Sequence, residues 1–599
     1  MFKDFIENAK INDYDFSGEI YPLADNRIFW ESFPVDELFP DAEKYLEYTW
    51  PPIKATDFME FKKSGDRKIM ENIHFERRRA LEELTFAELR ENNGRFLPQI
   101  VNGIFAICEE SYWGVSAHGF DKVENIPSPE YPYIDLFAAE TAEHLSAIYS
   151  MLYGKLYDFC PEILSRIEYE LERRIKVPYL THKDYWWMGY GKRIPNNWNP
   201  WIISNVMSVF LVTEKNKPRL FEAVKKMFGE LQIYYDNLPA DGGCDEGPGY
   251  WGRAGASLFE CVYQLKLATN GCLGFFDDEK FKMICSYMKK VHITGGFFVN
   301  FADAHPTESM GSFPMIYGFA RETEQPEMMN FSAAIFNKHS SASVMYDQCF
   351  RRVFFMYSFI KNMKNHRSES PIHGELEYLP SLEVAALRKN GLFLCAKGGN
   401  NKEHHNHNDV GSFVFYDGNE PVLIDVGIGV YTRFTFDNST RYSMIPWTQS
   451  PYHNIPLING TAQKYGPEFR SSGFNVEDGR VKLELSGAYP EKAHVDSALR
   501  EITLTDNGMR LTDRFEATSA PDVTEYLMTA LPVRVDNGRA YIGESYVLSA
   551  NCGELGAEFV SFDGDANLKN DWRTDGVTRI SVKAEGDTSI TVSLDKIKL

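Results

Sequence analysis

The spacing of apolar residues changes once along this chain, and that change constrains the fold more than any short motif does. Before about residue 365 apolar side chains recur every three or four positions, the period of an amphipathic helix. Ile134, Phe137, Thr141, Leu145, Ile148 and Leu152 line one helical face, and Leu258, Val262, Leu265 and Ala268 line another. Further helices are expected near 74–90, 98–110, 158–176, 198–214, 217–237, 277–293 and 342–361, separated by polar or Gly/Pro-containing loops. A long series of such helices fits a toroid or solenoid, and the lack of a fixed repeat length disfavours a TPR-like array. Asn365 to Pro371 reads as a linker. Beyond it the period falls to two: Val481, Leu483 and Leu485 alternate with Lys482 and Glu484. Asp417-Gly418, Asp506-Asn507-Gly508 and Asp536-Asn537-Gly538 are tight-turn signals, and Ile590 to Leu594 reads as the last strand. Helices first and strands second argue for a multidomain α-then-β chain, ending in a large antiparallel β-sandwich, over a parallel α/β sheet.

Composition narrows the partners. A chain of 599 residues can bury a large core. Its net charge of −22 argues against nucleic acid and anionic membranes, and an acidic ligand would need a locally basic cleft. The 32 tyrosines and 10 tryptophans serve either aromatic cores or stacking platforms for sugar rings. Nine scattered cysteines without a CxxC pair give no disulfide framework. Met1 to Asn8 lack the apolar core of a signal peptide, and no apolar run is long enough to span a membrane. The expectation is a cytoplasmic protein, or a periplasmic or secreted one if a leader has been removed. A homo-oligomer stays open.

Four clusters carry candidate chemistry. Asp184-Tyr185-Trp186-Trp187 precedes Asn196-Asn197-Trp198-Asn199-Pro200-Trp201, where the paired asparagines can cap a helix or donate to a bound carboxylate. Asp241 to Arg253 is a glycine-rich loop running into a helix; Tyr250 and Arg253 stand three apart there, and a nearby cation would favour the phenolate. Glu403-His404-His405-Asn406-His407-Asn408-Asp409 leads into an apolar strand. If extended, it points His405, His407 and Asp409 one way, with His404 left to solvent. His407, Asp425 and His453 make a His₂Asp set suited to zinc, with Asp409 a competing carboxylate. The fourth cluster is Glu110, Trp113 and His118 with Phe301 to His305, where both histidines read as structural anchors.

Taken in order, Asn196-Asn197-Trp198, Asp241-Gly242-Gly243 through Glu246-Gly247-Pro248-Gly249-Tyr250-Trp251, His405 through Phe413, Leu423 through Gly427, and His453-Asn454 with Asn459-Gly460 resemble the heparinase II/III-like polysaccharide lyases. The resemblance covers roughly residues 100–465. It implies an N-terminal (α/α) toroid with the substrate cleft over 1–370 and a C-terminal antiparallel β-sandwich with a zinc site over 371–599. It implies that Asn197 neutralises a uronate carboxylate, that Tyr250 and His405 are catalytic, and that His407, Asp425 and His453 hold a zinc that is structural. A further tyrosine from the β-domain joins such sites, and Tyr431 and Tyr442 both qualify. Some relatives carry His where Trp198 stands.

The family reaction is β-elimination in a uronic-acid polymer, which would make the partner an acidic oligosaccharide or polysaccharide, either glycosaminoglycan-like or alginate-like. Donors at the carboxylate stabilise the charge that develops when the neighbouring proton leaves, and an acid protonates the departing oxygen. Glu246, Arg253, Trp198, His118 and His305 are further catalytic or substrate-binding candidates. One rival is a glycoside hydrolase on a helical toroid, drawing its acid pair from Asp245, Glu246 and Asp303. The others are a non-catalytic, zinc-stabilised carbohydrate-binding protein and a zinc hydrolase with an open coordination position.

Overall fold

The computed structural model describes residues 1–118, 126–128, 130–339, 347, 349–369, 373–435 and 437–597. Ser370 and Pro371 of the expected linker lie outside them, as do 342–346 and 348 at the start of the helix expected over 342–361. The chain forms two compact units. One comprises 1–238, 252–282 and 309–369; the other comprises 239–251, 283–308 and 370–599. A single cut at 370 therefore does not describe the division: two segments from the helical part of the sequence belong with the strands.

The first unit is helical. The expected helices form as Lys68–Glu91, Leu97–Cys108, Leu136–Met151, Pro161–Leu171, Trp198–Thr213, Lys217–Asn237, Gly255–Ala268 and Phe350–Lys364. Trp198–Thr213 packs between Leu136–Met151 and Gly255–Ala268, so these helices are buried almost all round and not on one stripe alone. Helices Ser312–Glu322 and Pro326–His339 lie outside the expected set; Pro314 falls in the first turn and Pro326 at the first position, where proline is tolerated. Gly318 has a packing reason: a Cβ there would lie 2.2 Å from the Phe359 ring.

The sheets of the second unit pair antiparallel throughout. An eight-stranded sheet holds Arg480–Glu484, Ser497–Leu504, Gly508–Glu516 and Ser589–Lys596 as successive neighbours. Val481 pairs with Ile502, Ile502 with Leu511 and Leu511 with Val592, a buried cross-strand row read directly from the period-two pattern. These side chains share one core with Leu394 and Phe415 of a five-stranded sheet and with Leu527 and Ile580 of a four-stranded one. At Asp536-Asn537-Gly538 both central residues take positive φ, 49° and 68°, as a primed hairpin turn requires.

One buried cation joins this sandwich to the loops of interest. Arg500 is fully buried, with Nε and one terminal nitrogen on Asp513 at 3.0 and 2.6 Å and the same terminal nitrogen 2.6 Å from Glu525. Its other terminal nitrogen donates to the carbonyls of Gly411 and Asn454, both at 2.8 Å. Arg500→Met would leave two buried carboxylates without their cation. It should cost about 3–5 kcal/mol, read as a lower urea midpoint; an unchanged midpoint would contradict this account of the core.

Candidate active site

The Tyr250 loop is held in the second unit by side-chain and backbone hydrogen bonds. Asp241 accepts from the Ser381 N–H at 2.8 Å, Trp251 donates to the Ile284 carbonyl at 2.9 Å, and the Tyr287 hydroxyl donates to the Cys244 carbonyl. Tyr250 sits in the short helix Pro248–Trp251. Its hydroxyl lies 2.6 Å from that of Tyr431, and its ring stacks on His405 with centroids 4.3 Å apart. Of the two tyrosines left open by the sequence, Tyr431 therefore reaches Tyr250. Tyr442 instead donates to Asn406 Oδ1 at 2.8 Å and stacks on Tyr465.

The histidine stretch is not extended. Residues 402–405 form a turn, and His405 takes φ +56°, the left-handed region that costs a non-glycine residue about 1–2 kcal/mol. Alternation therefore fails here: His405, His407 and Asp409 do not share one face. Asp409 is spent on Lys397, a buried ion pair at 2.8 Å. His404 keeps its side chain 40% exposed, as expected, and also binds Asp245 at 2.7 Å. His405 Nδ1 lies 3.0 Å from Asp303 Oδ2, and its Nε2 lies 3.5 Å from Glu246.

Asp303 organises the rest. Its Oδ1 accepts from His407 Nε2 at 3.0 Å and from Arg441 at 2.5 Å, and Tyr431 reaches its Oδ2 at 3.5 Å. Burial alone would raise the Asp303 carboxyl, but the hydrogen bonds from His405 and His407 and the Arg441 charge outweigh it and hold the group well below the usual carboxylate range. Burial, then the charge of Asp303, pushes the Tyr250 hydroxyl well above its ordinary value, and Tyr431 moves the same way. Tyr250 is thus a protonated phenol at rest, not the activated phenolate expected from an Arg253 neighbour.

His407, Asp425 and His453 converge: one ligand atom from each lies within 4.8 Å of the other two, and all three residues are fully buried. His453 Nδ1 lies 3.0 Å from Asp425 Oδ2. His407 Nδ1 and His453 Nε2 are buried and carry no hydrogen-bond partner. Orphaned imidazole nitrogens beside a carboxylate are what a metal would satisfy, so the residues fit such a group.

The remaining candidates are placed less centrally. His305 Nδ1 binds Asp571 at 2.7 Å, and that hydrogen bond raises its pKa. In the helical unit Arg253 pairs with Asp347 at 3.1 Å and lies over the Trp201 ring. His118 binds Asp135 and packs on Phe137 and Trp198, as an anchor would. Trp198 also packs on Trp186, and Asn197 is buried; the capping expected of the paired asparagines falls to Asn196, whose side chain accepts from the Trp198 N–H. Glu110 is bound by Arg78 through both oxygens, a structural pair. Asp303 and Arg441 are what sequence reasoning missed as central residues. Asp303 stood among the candidates without its role, and Arg441 carried no signal.

Residues 373–584 match the family model described as heparinase II/III-like, C-terminal. The fold of the whole chain is that of the toroid-plus-sandwich polysaccharide lyases. A crystal structure of heparinase III aligns with a TM-score of 0.63 at 12% identity, covering 99% of this chain and 87% of its own. A mutant of the heparan sulfate lyase HepC from Pedobacter heparinus aligns at 0.62 and 12% identity, covering 100% and 88%. A chondroitin AC lyase mutant from Streptomyces coelicolor aligns at 0.53 and 9% identity, covering 94% and 83%. No curated protein sequence matches this one.

Proposed function

We propose that this chain is a polysaccharide lyase that cleaves a uronic-acid-containing glycan, glycosaminoglycan-like or alginate-like, by β-elimination to an unsaturated uronate. The observation that carries the reading is the contact set of Tyr250: its hydroxyl on Tyr431, its ring on His405, and His405 on the buried Asp303. Elimination needs a group that takes the proton beside the carboxylate and another that protonates the departing oxygen. A phenol held in its protonated form suits the second task, so Tyr250 is the acid. His405, with a carboxylate at each ring nitrogen, is the group that takes the proton. Tyr431 is placed to relay a proton to or from Tyr250.

The glycosidase alternative is less well supported. Its acid must keep a proton near neutrality. Of its candidates, Asp303 is held low by three donors and Asp245 is held low by His404 despite burial. Zinc is the metal proposed for His407, Asp425 and His453. Complete burial of all three favours a structural ion over a hydrolytic one with an open position. When bound, zinc would brace the loop that carries His405.

Purified protein incubated with a panel of uronate glycans should produce the ultraviolet absorbance of an unsaturated uronate. Tyr250→Phe and His405→Ala should each lower kcat at least about 100-fold with circular dichroism unchanged; full activity in both would sink the assignment. Elemental analysis should find about one zinc per chain, lost in His453→Ala; a metal-free wild type that is fully folded would refute the zinc site.

A further inference from the structure

We propose that Asp303 is a positioning residue that couples the metal cluster to the reacting histidine, so that metal held by His407, Asp425 and His453 fixes the ring of His405. The role of His405 rests on the proposed function; the coupling itself does not.

The two oxygens of Asp303 are divided between the two histidines. Oδ2 meets His405 Nδ1 and Oδ1 meets His407 Nε2, each at 3.0 Å. A carboxylate that also receives Arg441 is an acceptor only, so both rings must donate to it. That sets both tautomers at once. His407 carries its proton on Nε2 and turns the bare Nδ1, which has no other partner, toward Asp425 and His453. His405 carries its proton on Nδ1, and its Nε2 faces Glu246. One side chain thus prepares a metal ligand on one oxygen and orients the reacting ring on the other.

The flanking residues repeat the connection. The Asn300 side-chain amide donates to the Asp425 carbonyl at 3.0 Å. Gly427, at φ +78°, lets its turn approach the Ala304 carbonyl, which a Cβ would meet at 2.7 Å. The loop that carries Asp303 therefore rides on the turn that carries Asp425. Ala302 and His405 both hold positive φ, 66° and 56°, conformations that persist only when neighbouring contacts impose them. Arg441 supplies such contacts, bonding Asp303, the carbonyls of His405 and Asn406 at 3.3 Å, and the Thr435 carbonyl at 2.8 Å. A metal that pulls on His407 acts on Asp303 directly, and Asp303 acts on His405. A carboxylate present only to neutralise Arg441 would transmit nothing.

The test uses full-length protein labelled with nitrogen-15 histidine, zinc-loaded and then stripped with a chelator. The His405 ring signals are assigned by their absence in His405→Ala. Stripping should shift the His405 ring nitrogens in the wild type, a comparison that needs no variant at the hub. In Asp303→Asn the His405 signals should no longer respond to zinc. Zinc affinity, measured by competition with a chromophoric chelator, should fall about 10–100-fold, and kcat should drop with KM unchanged. Wild-type His405 signals that ignore zinc would overturn the proposal, as would an equal response in Asp303→Asn. A zinc response in a protein that eliminates no uronate glycan would support the coupling while refuting the proposed function.

Discussion

The buried carboxylate of Asp303 is the interaction on which the site depends. Removing a carboxylate from water is costly, and a lone one would take up a proton. Here His405, His407 and Arg441 hold it ionised, and each of those groups is fixed in return. The cluster is stable as a set and poor in parts: without Asp303, Arg441 and two imidazoles would lose their shared acceptor inside the protein.

That set needs a rigid frame, which the sandwich provides. Arg500 binds the carbonyls of Gly411 and Asn454, four residues after His407 and one after His453. The same guanidinium is locked to Asp513 and Glu525 on neighbouring strands of the two sheets. His407 and His453 therefore descend from loops pinned to the core by one side chain. The Tyr250 loop comes from far earlier in the sequence, yet the hydrogen bonds of Asp241, Cys244 and Trp251 belong to this unit. The geometry around Tyr250 is thus set by strands and short loops, and strain at Ala302 and His405 is tolerated because those contacts leave no alternative.

Much of the frame was legible because burial writes a period into sequence. Val481, Ile502, Leu511 and Val592 form one row because a strand with one wet face must alternate. The helices from Lys68 to Ala268 were legible for the same reason. The convergence of His407, Asp425 and His453 was legible from residue chemistry and from the resemblance. The details of the site were not. A left-handed histidine cannot be inferred from alternation, so a strand period misplaces the side chains from Glu403 to Asp409. Asp303 entered only as a candidate hydrolase acid because its partners lie 102, 104 and 138 residues away, and no local pattern reports contacts at that range. Arg253 looked like the partner of Tyr250 because the two are three apart; its charge is instead engaged by Asp347.

The central claim is that this site breaks a glycosidic bond by elimination and not by water. Digestion in water enriched in heavy oxygen, followed by mass spectrometry of the products, tests it most directly. The account predicts unsaturated products lighter by one water than their hydrolytic counterparts, with no heavy oxygen incorporated during cleavage, after correction for exchange at the reducing end. Saturated products carrying one heavy oxygen per bond cleaved, at the new reducing end and beyond that exchange, would contradict it.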